Sequence, residues 1–435
     1  MHFGIQNILF IIALGAAFYL FAKNFGKIWR NIKLGKDISR NDNPSERWKL
    51  MFKVAFGQSK MVKRKKVAGF LHVLVYVGFV LINIEILEII IDGIAGTHRV
   101  FAEPLGAFYN AAINFFEVLA LLVIIACTVF LIRRNILKVG RFSELQGWAK
   151  RDGNNILIIE IVLMFALLTL GAAEANMENN STGPWIISGM LAPILSGFSQ
   201  EALVVIERTA WWLHILGILA FLNYLPFSKH FHIILAFPNV WYANLENKGR
   251  FTNLASVKKE VEMMMDPNAD PYAAPAETDA QPERFGAKDV QDLNWVQLMN
   301  SYSCTECGRC TSSCPANITG KKLSPRKIMM DTRDRLEDVG KILDANKGQF
   351  VDDGRSLLGD HISAEELWAC TTCNACTEAC PINIDPVSII MDMRRYLVME
   401  ESSAAQPINA MMTNVENNGA PWAYPAADRG NWISE

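Results

Sequence analysis

The chain has 435 residues, enough for two or three domains, and 51% of them are hydrophobic. Forty-two basic against 44 acidic side chains leave a net charge of −2, which excludes a nucleic-acid partner held by bulk charge. The apolar residues are concentrated before residue 240 and eight of the nine cysteines between 304 and 380, so a membrane half and a soluble half are expected.

Five apolar segments, at about 5–22, 67–92, 107–132, 155–174 and 207–228, approach the roughly 20 residues that a helix needs to cross a bilayer core. The first has no basic residue before it, and Lys23, Lys27 and Arg30 follow it. That charge order is expected of an uncleaved anchor with its N-terminus outside. Residues 23–66 hold fourteen Lys and Arg, ending in KRKK, and 133–151 hold six, whereas 93–106 hold only Arg99 and 175–206 hold none. The positive-inside rule puts the first two connections in the cytoplasm. Five spans then carry the C-terminal half to the cytoplasmic side of the inner membrane. Asn83, Glu85 and Glu88 fall inside the second span, Asn114 and Glu117 inside the third. Intramembrane carboxylates are costly and usually functional; the alternative is a paired network between helices. Cys127 reads as a packed core residue.

Residues 1–240 thus form a five-span membrane domain, and 241–292 a juxtamembrane segment and linker. The stretch DPNADPYAAPAETDAQPERFG (266–286) is rich in Pro, Ala and acids. A third region, 293–400, holds two motifs of spacing C-x2-C-x2-C-x3-C-P: CTECGRCTSSCP (Cys304, Cys307, Cys310, Cys314) and CTTCNACTEACP (Cys370, Cys373, Cys376, Cys380). This is the spacing of bacterial-type [4Fe–4S] ligation, in which three thiolates serve one cluster and the fourth crosses over. Cys314 is therefore expected on the second cluster and Cys380 on the first. Disulfides are disfavoured in a cytoplasmic domain, and zinc sites usually show two separated C-x2-C pairs. The motifs belong to a repeat, C-P-x-N-I followed by P-x-x-I-x-M-D-x-R, with Pro325 and Pro386 placed for the first turn of a helix. An amphipathic stretch, 325–345, follows the first motif, and no β-rich pattern appears. Residues 401–435 show no helical periodicity and read as a partner-docking tail, or as a disordered terminus.

Clusters beside a membrane bundle suggest an electron path that includes haem b, whose iron needs histidines on facing helices. His2 is terminal and His361 lies in the soluble half. That leaves His72, His98, His214, His230 and His232. On an unbroken fifth helix His214 and His232, 18 residues apart, share a stripe about 27 Å long, and His230 points about 160° away from His214. His232 then lies level with His72, and His214 is nearest in level to His98. A kink at Pro226 would rotate the stripe and favour His230 instead. Each histidine has the alternative of a carbonyl-bonded helix-end residue. Glu88, Glu117 and His98 are candidates for a quinone or proton path, because quinol oxidation releases protons that a general base must take.

The cysteine repeat (about 295–400) resembles the α-helical ferredoxin domains of heterodisulfide reductase C-type subunits and of the anaerobic glycerol-3-phosphate dehydrogenase iron–sulfur subunit. The five spans with inner and outer histidines resemble the nitrate reductase gamma subunit and the haem-b subunits of heterodisulfide and sulfite reductase complexes. Those proteins commonly carry two histidines about ten apart on the second span, where this chain has Ile82 and Asn83. The segment ENNGAPWAYPAADRGNW (416–432) resembles the N-P-W-G…D-R…W segment of fused iron–sulfur oxidoreductases, with Ala420 and Ala423 in place of the usual Asn and Gly. In those proteins a domain with paired C-C-G motifs follows, and no adjacent cysteine pair occurs in this sequence.

The expected protein is all-α: a five-helix transmembrane bundle followed by a cytoplasmic α-helical ferredoxin domain with two [4Fe–4S] clusters. It is expected to pass electrons between menaquinone or ubiquinone, one or two haems b, and a separate cysteine-rich cytoplasmic catalytic subunit in a hetero-oligomer. The alternatives are a membrane-anchored ferredoxin-like module without haem or quinone chemistry, or an assembly scaffold with structural clusters.

Overall fold

The computed structural model describes residues 4–63, 65–142, 145–177, 185–267 and 284–435. It is built of helices, with no strand among the described residues. Most of the expected linker, 266–286, lies outside them.

Five helices are long and apolar enough to cross a membrane: span 1 (Ile5–Ile32), span 2 (Lys66–Ala95), span 3 (Ala107–Asn135), span 4 (Gly147–Glu174) and span 5, helical over Gln200–Tyr224. Each span packs on its chain neighbour, span 4 packs on span 5, and span 1 packs on both span 2 and span 5, which closes a ring. Helices of two apolar faces suit such a ring, because one face meets lipid and the other the interior. Large side chains such as Ile12, Phe70, Ile125 and Phe165 accordingly face outward, while Phe10, Val123, Leu167 and Ile215 are buried.

Several helices run past the apolar segments. Span 1 continues to Ile32, and its last turns lie on the cysteine-rich half. There Lys27 and Arg30 pair with Asp344 at 2.6 and 2.5 Å, and Asn31 donates to the Tyr302 hydroxyl at 3.0 Å. One hydrophobic core spans the junction, joining Ile28, Ile32, Phe221 and Phe231 to Leu298, Ile328, Leu336 and Ile390. The soluble half is thus seated on the bundle by apolar burial, the dominant favourable term in association.

Span 5 departs from expectation. It ends at Tyr224, because Pro226 has no N–H for the helical ladder. Two 3₁₀ turns follow, Leu225–Phe227 and Lys229–Phe231, and a new helix, His232–Trp241, begins. His214 and His232 therefore do not share one continuous stripe. The tail also departs from expectation: Gln406–Asn418 is helical and stops at Gly419, whose φ of +63° suits a glycine helix stop. Ile408, Met411, Met412 and Val415 give it an apolar face at i, i+3, i+4 and i+7 that the sequence does show.

The repeated half is two loop-plus-helix units. Ser324 and Asp385 cap helices Pro325–Ala345 and Pro386–Met399, each with proline in the first turn. The loop 33–38 crosses this half so closely that a Cβ on Gly35 would lie 2.6 Å from the Trp295 backbone nitrogen. Lys36 N–H donates to the Leu293 carbonyl, and Trp295 N–H to the Lys36 carbonyl. Backbone cannot yield as a side chain can. Gly35→Ala is therefore expected to destabilise the full chain by about 1–3 kcal/mol, read as a lower melting temperature in detergent.

Candidate electron-transfer site

Both cysteine loops use left-handed backbone at equivalent repeat positions, Glu306 and Thr372, then Gly308 and Asn374. That conformation folds each loop back on itself and turns its thiols inward. Burial raises the Cys380 thiol to about 11, and the next influence on it is Cys307. Burial likewise raises Cys310, which then feels Cys307, Cys304, Cys380 and Cys376 in that order. Cys370, also raised by burial, senses Cys314 and Cys373 among its neighbours, and Cys376, raised to about 12, senses Cys370. These influences link Cys380 to the first motif and Cys314 to the second, while Cys310 also feels Cys376. The grouping expected from the crossover is Cys304, Cys307, Cys310 with Cys380 (the first group) and Cys370, Cys373, Cys376 with Cys314 (the second). Buried thiols of this kind lose their protons to a cationic metal, not to water. Backbone N–H groups also point at sulfur: Thr372 at Cys370 (3.4 Å) and Ile384 at Cys380 (3.3 Å). Buried thiols in two tight loops, with N–H donors beside sulfur, suit iron–sulfur ligation. Cys304 is buried and Cys373 exposed, so the second group is the one that reaches the surface.

Cys304, Cys307, Cys310 and Cys380, with Cys376 of the second motif, line a cavity of about 390 Å³ together with His72, His230 and His232. The His72 and His232 ring centroids are 6.4 Å apart. Two imidazoles on one metal need about 6 Å, from two metal–nitrogen bonds of about 2 Å and half a ring on each side. The Nδ1 of His232 is tied to the Lys229 carbonyl at 3.1 Å, which orients its ring. His230 lies between Phe221 and Phe79, at centroid distances of 5.2 and 6.3 Å, and its Nε2 is buried without a partner. Burial holds both His230 and His232 below the ordinary imidazole value, hence neutral, as a ligand must be.

The broken end of span 5 is held by residues that the sequence does not single out. Asp152, buried at the start of span 4, accepts from the Tyr224 hydroxyl (2.5 Å), the Ser228 hydroxyl (2.7 Å) and the Lys229 N–H (3.0 Å). Lys229 reaches Glu306, inside the first cysteine motif, at 2.6 Å, and Arg333 reaches the other oxygen of Glu306 at 2.8 Å. Burial would raise the Glu306 carboxyl, but Lys229 and Arg333 outweigh it and hold the group below the usual carboxylate range. Arg309, in the same motif, donates to the Met61 carbonyl at 2.8 Å. The sequence signals for the two acids are that Asp152 stands in a basic connection and Glu306 between two cysteines. Glu160, Glu174 and Glu207 are also buried in spans 4 and 5, and the rule that singles out Glu88 applies equally to them.

At the other end of the bundle the expected pair is not assembled. His98 lies 3.3 Å from Glu174 and is grouped with Glu207, which is seven residues, or about 10 Å, along span 5 from His214. The reason is charge: His98 follows the two carboxylates, and His214 instead bonds the Leu163 carbonyl through Nδ1 at 2.9 Å. The His214 Nε2 is buried without a partner. Glu88 accepts from the Tyr109 hydroxyl (2.7 Å) and the Phe101 N–H (2.9 Å). Arg99 joins Tyr109 (2.9 Å), Glu174 (2.8 Å) and Glu85 (3.7 Å). Glu117 stands beside this network, taking the Ile187 N–H at 2.9 Å through Oε2; its Oε1 and the Ser188 hydroxyl are buried and unpaired.

Residues 303–384 match the family described as the 4Fe–4S dicluster domain. This region is a 4Fe–4S dicluster domain. The whole chain is similar to the probable iron-sulfur-binding oxidoreductase FadF of Bacillus subtilis, at 32% identity over 98% of this chain and 61% of that protein. It is similar to the EtfAB:quinone oxidoreductase of Syntrophomonas wolfei at 27% identity, over 92% of this chain and 55% of that one. The chain thus spans little more than half the length of these relatives. The dicluster domain is similar to the C-type component of a CoB-CoM heterodisulfide reductase of Methanosarcina acetivorans, at 34% identity over 26% of this chain and 56% of that one. No solved structure matches. The protein is therefore a multi-pass membrane relative of iron–sulfur electron-transfer oxidoreductases and of heterodisulfide reductase subunits.

The Lys229–Glu306 contact gives a direct test. Lys229→Met leaves a buried carboxylate short of one partner and is expected to cost about 3 kcal/mol. Adding Glu306→Gln should recover part of that loss in a double-mutant cycle read from melting curves of the full chain.

Proposed function

We propose that this chain is the membrane electron-transfer subunit of a quinone-linked complex. It connects membrane quinone, haem b and two [4Fe–4S] clusters to a cytoplasmic, cysteine-rich catalytic subunit. The single observation behind the proposal is the one cavity lined by His72 and His232 together with the first thiol group. When bound, haem and clusters supply one-electron carriers.

The residues would divide the work as follows. His72 and His232 hold the haem, with the Lys229 carbonyl setting the His232 ring. Cys304, Cys307, Cys310 and Cys380 hold the first cluster; Cys370, Cys373, Cys376 and Cys314 hold the second, and Cys373 opens to the partner. His214 offers a free nitrogen, but His98 is committed to Glu174, so one haem is the preferred reading. Quinol oxidation releases two electrons and two protons. Glu117, with an unpaired buried oxygen, is the better proton acceptor, and Glu88, already holding two donors, serves to position Tyr109 and Arg99. His98, about half exposed, stands where a proton would leave through Glu174. By the positive-inside rule the basic connections support a cytoplasmic dicluster domain and an outside N-terminus. The exposed helix Gln406–Asn418, with Trp422 and Trp432 beyond it, is the proposed contact with the catalytic subunit. The relative named for EtfAB and quinone supports quinone at one end of the path.

Dithionite-reduced spectra of the purified full chain test the haem. His72→Ala and His232→Ala are each expected to abolish the haem b bands, whereas His98→Ala retains them. Spectra of the unaltered protein without haem b bands would leave an anchored ferredoxin-like module. Cluster crossover has its own test: Cys314→Ser is expected to remove the paramagnetic signal of the cluster bound by Cys370, Cys373 and Cys376, and to spare the other.

A further inference from the structure

A second cavity, of about 640 Å³, shares no lining residue with the histidine cavity. It lies between the loops that enter the membrane half and the second cysteine loop. Seven Lys and Arg side chains line it against three carboxylates. Glu378 is shared by Lys60 (3.9 Å), Lys63 (3.8 Å) and Lys248, and Glu246 holds Arg250 at 2.8 Å. Among the described residues, Arg40 and Lys53 form no ion pair. Arg40 donates to Asn244 at 3.1 Å, but its Nε–H is buried with no acceptor. Arg395 is paired with Asp392 at 2.9 Å, which leaves six cations against three carboxylates. A buried donor without an acceptor is costly, and this positive surplus favours an anion.

The position of the cavity says which anion. Part of its wall is the segment Pro44–Phe56, through Leu50, Lys53 and Val54. The same segment turns Trp48, Phe52 and Phe56 outward, about half exposed and stacked at 5.7 and 5.2 Å. Residues four apart form one stripe, and an exposed aromatic stripe ten residues before a membrane span belongs at the lipid–water interface. The cavity thus opens at headgroup level, with apolar rings where acyl chains begin. Basic pockets of this kind beside membrane helices suit phosphate headgroups. We propose that this cavity binds the phosphate of an anionic phospholipid, and that Arg40 and Lys53 are its principal charge partners. A lipid there would fasten the segment 38–63 and the segment 243–252 to the second cysteine loop through Asn374 and Thr377.

The test uses the delipidated full chain in detergent, with any copurifying partner, and measures binding of short-chain phosphatidylglycerol and phosphatidylcholine by native mass spectrometry. Phosphatidylglycerol is expected to bind more tightly. The Arg40→Gln/Lys53→Gln variant should weaken it by about 30-fold, roughly a factor of five for each charge. Lys53→Gln alone, at an exposed position, should lose about fivefold and guards against misfolding of the double variant. Lys258→Gln, at a residue paired with Glu262 away from the cavity, should bind as the unaltered chain does. Equal binding of the two lipids, or unchanged binding in both cavity variants, would overturn the proposal. Displacement by an equal concentration of inorganic phosphate would also overturn it, in favour of a soluble phosphate ester. The readout needs neither haem nor quinone, so its failure is distinct from failure of the electron path.

Discussion

Glu306 is the point on which the two halves of this protein depend. It is a carboxylate only 2% exposed, inside a cysteine motif, and it is held by one cation from each half, Lys229 and Arg333. A buried charge is tolerated only when paired and hydrogen-bonded. The position of the first cysteine loop and the end of span 5 are therefore coupled: neither can shift without stranding Glu306. Asp152 completes the chain by taking the Ser228 hydroxyl and the Lys229 N–H just past the break at Pro226.

That coupling has a functional consequence. One-electron transfer between carriers needs them held at fixed, close separations, and the histidine wall and the first thiol group here share one cavity. Apolar burial across the junction supplies most of the holding, with Ile32, Phe231 and Leu235 in the same core as Leu298 and Ile328. The ion pairs restrict register, because a shift that broke them would leave a buried charge unpaired. The break in span 5 is thus a device of position. It turns His230 and His232 from the axis of the helix toward span 2, where His72 waits.

The far end of the bundle is organised by the opposite balance. One guanidinium, Arg99, lies amid Glu85, Glu174 and the Tyr109–Glu88 pair, and rests on the Trp185 ring. Acids outnumber bases there. Intramembrane carboxylates are costly unless paired, and here one guanidinium serves several of them. Glu117, beside them, keeps one buried oxygen without a hydrogen-bond partner.

Much of this was legible in the chain. Apolar length alone reveals the five spans, because a bilayer requires it. Cysteine spacing alone reveals the dicluster domain, because a cluster needs its thiols close in one loop. The prolines at 325 and 386 mark the repeat helices. Periodicity was misleading at His214 and His232: it assumes an unbroken helix, and Pro226 breaks it. Even so His72 and His232 meet, for a reason the stripe did not contain. The pairing of His98 with Glu174, the role of Asp152 and the basic cavity around Arg40 were not readable, because each joins residues far apart in sequence. What the sequence by itself determined is which segments cross the membrane and which residues can bind iron, since local length and spacing govern both. What only the tertiary structure decided is which of those residues face one another, since that follows from the packing of five helices and from where buried charges find partners.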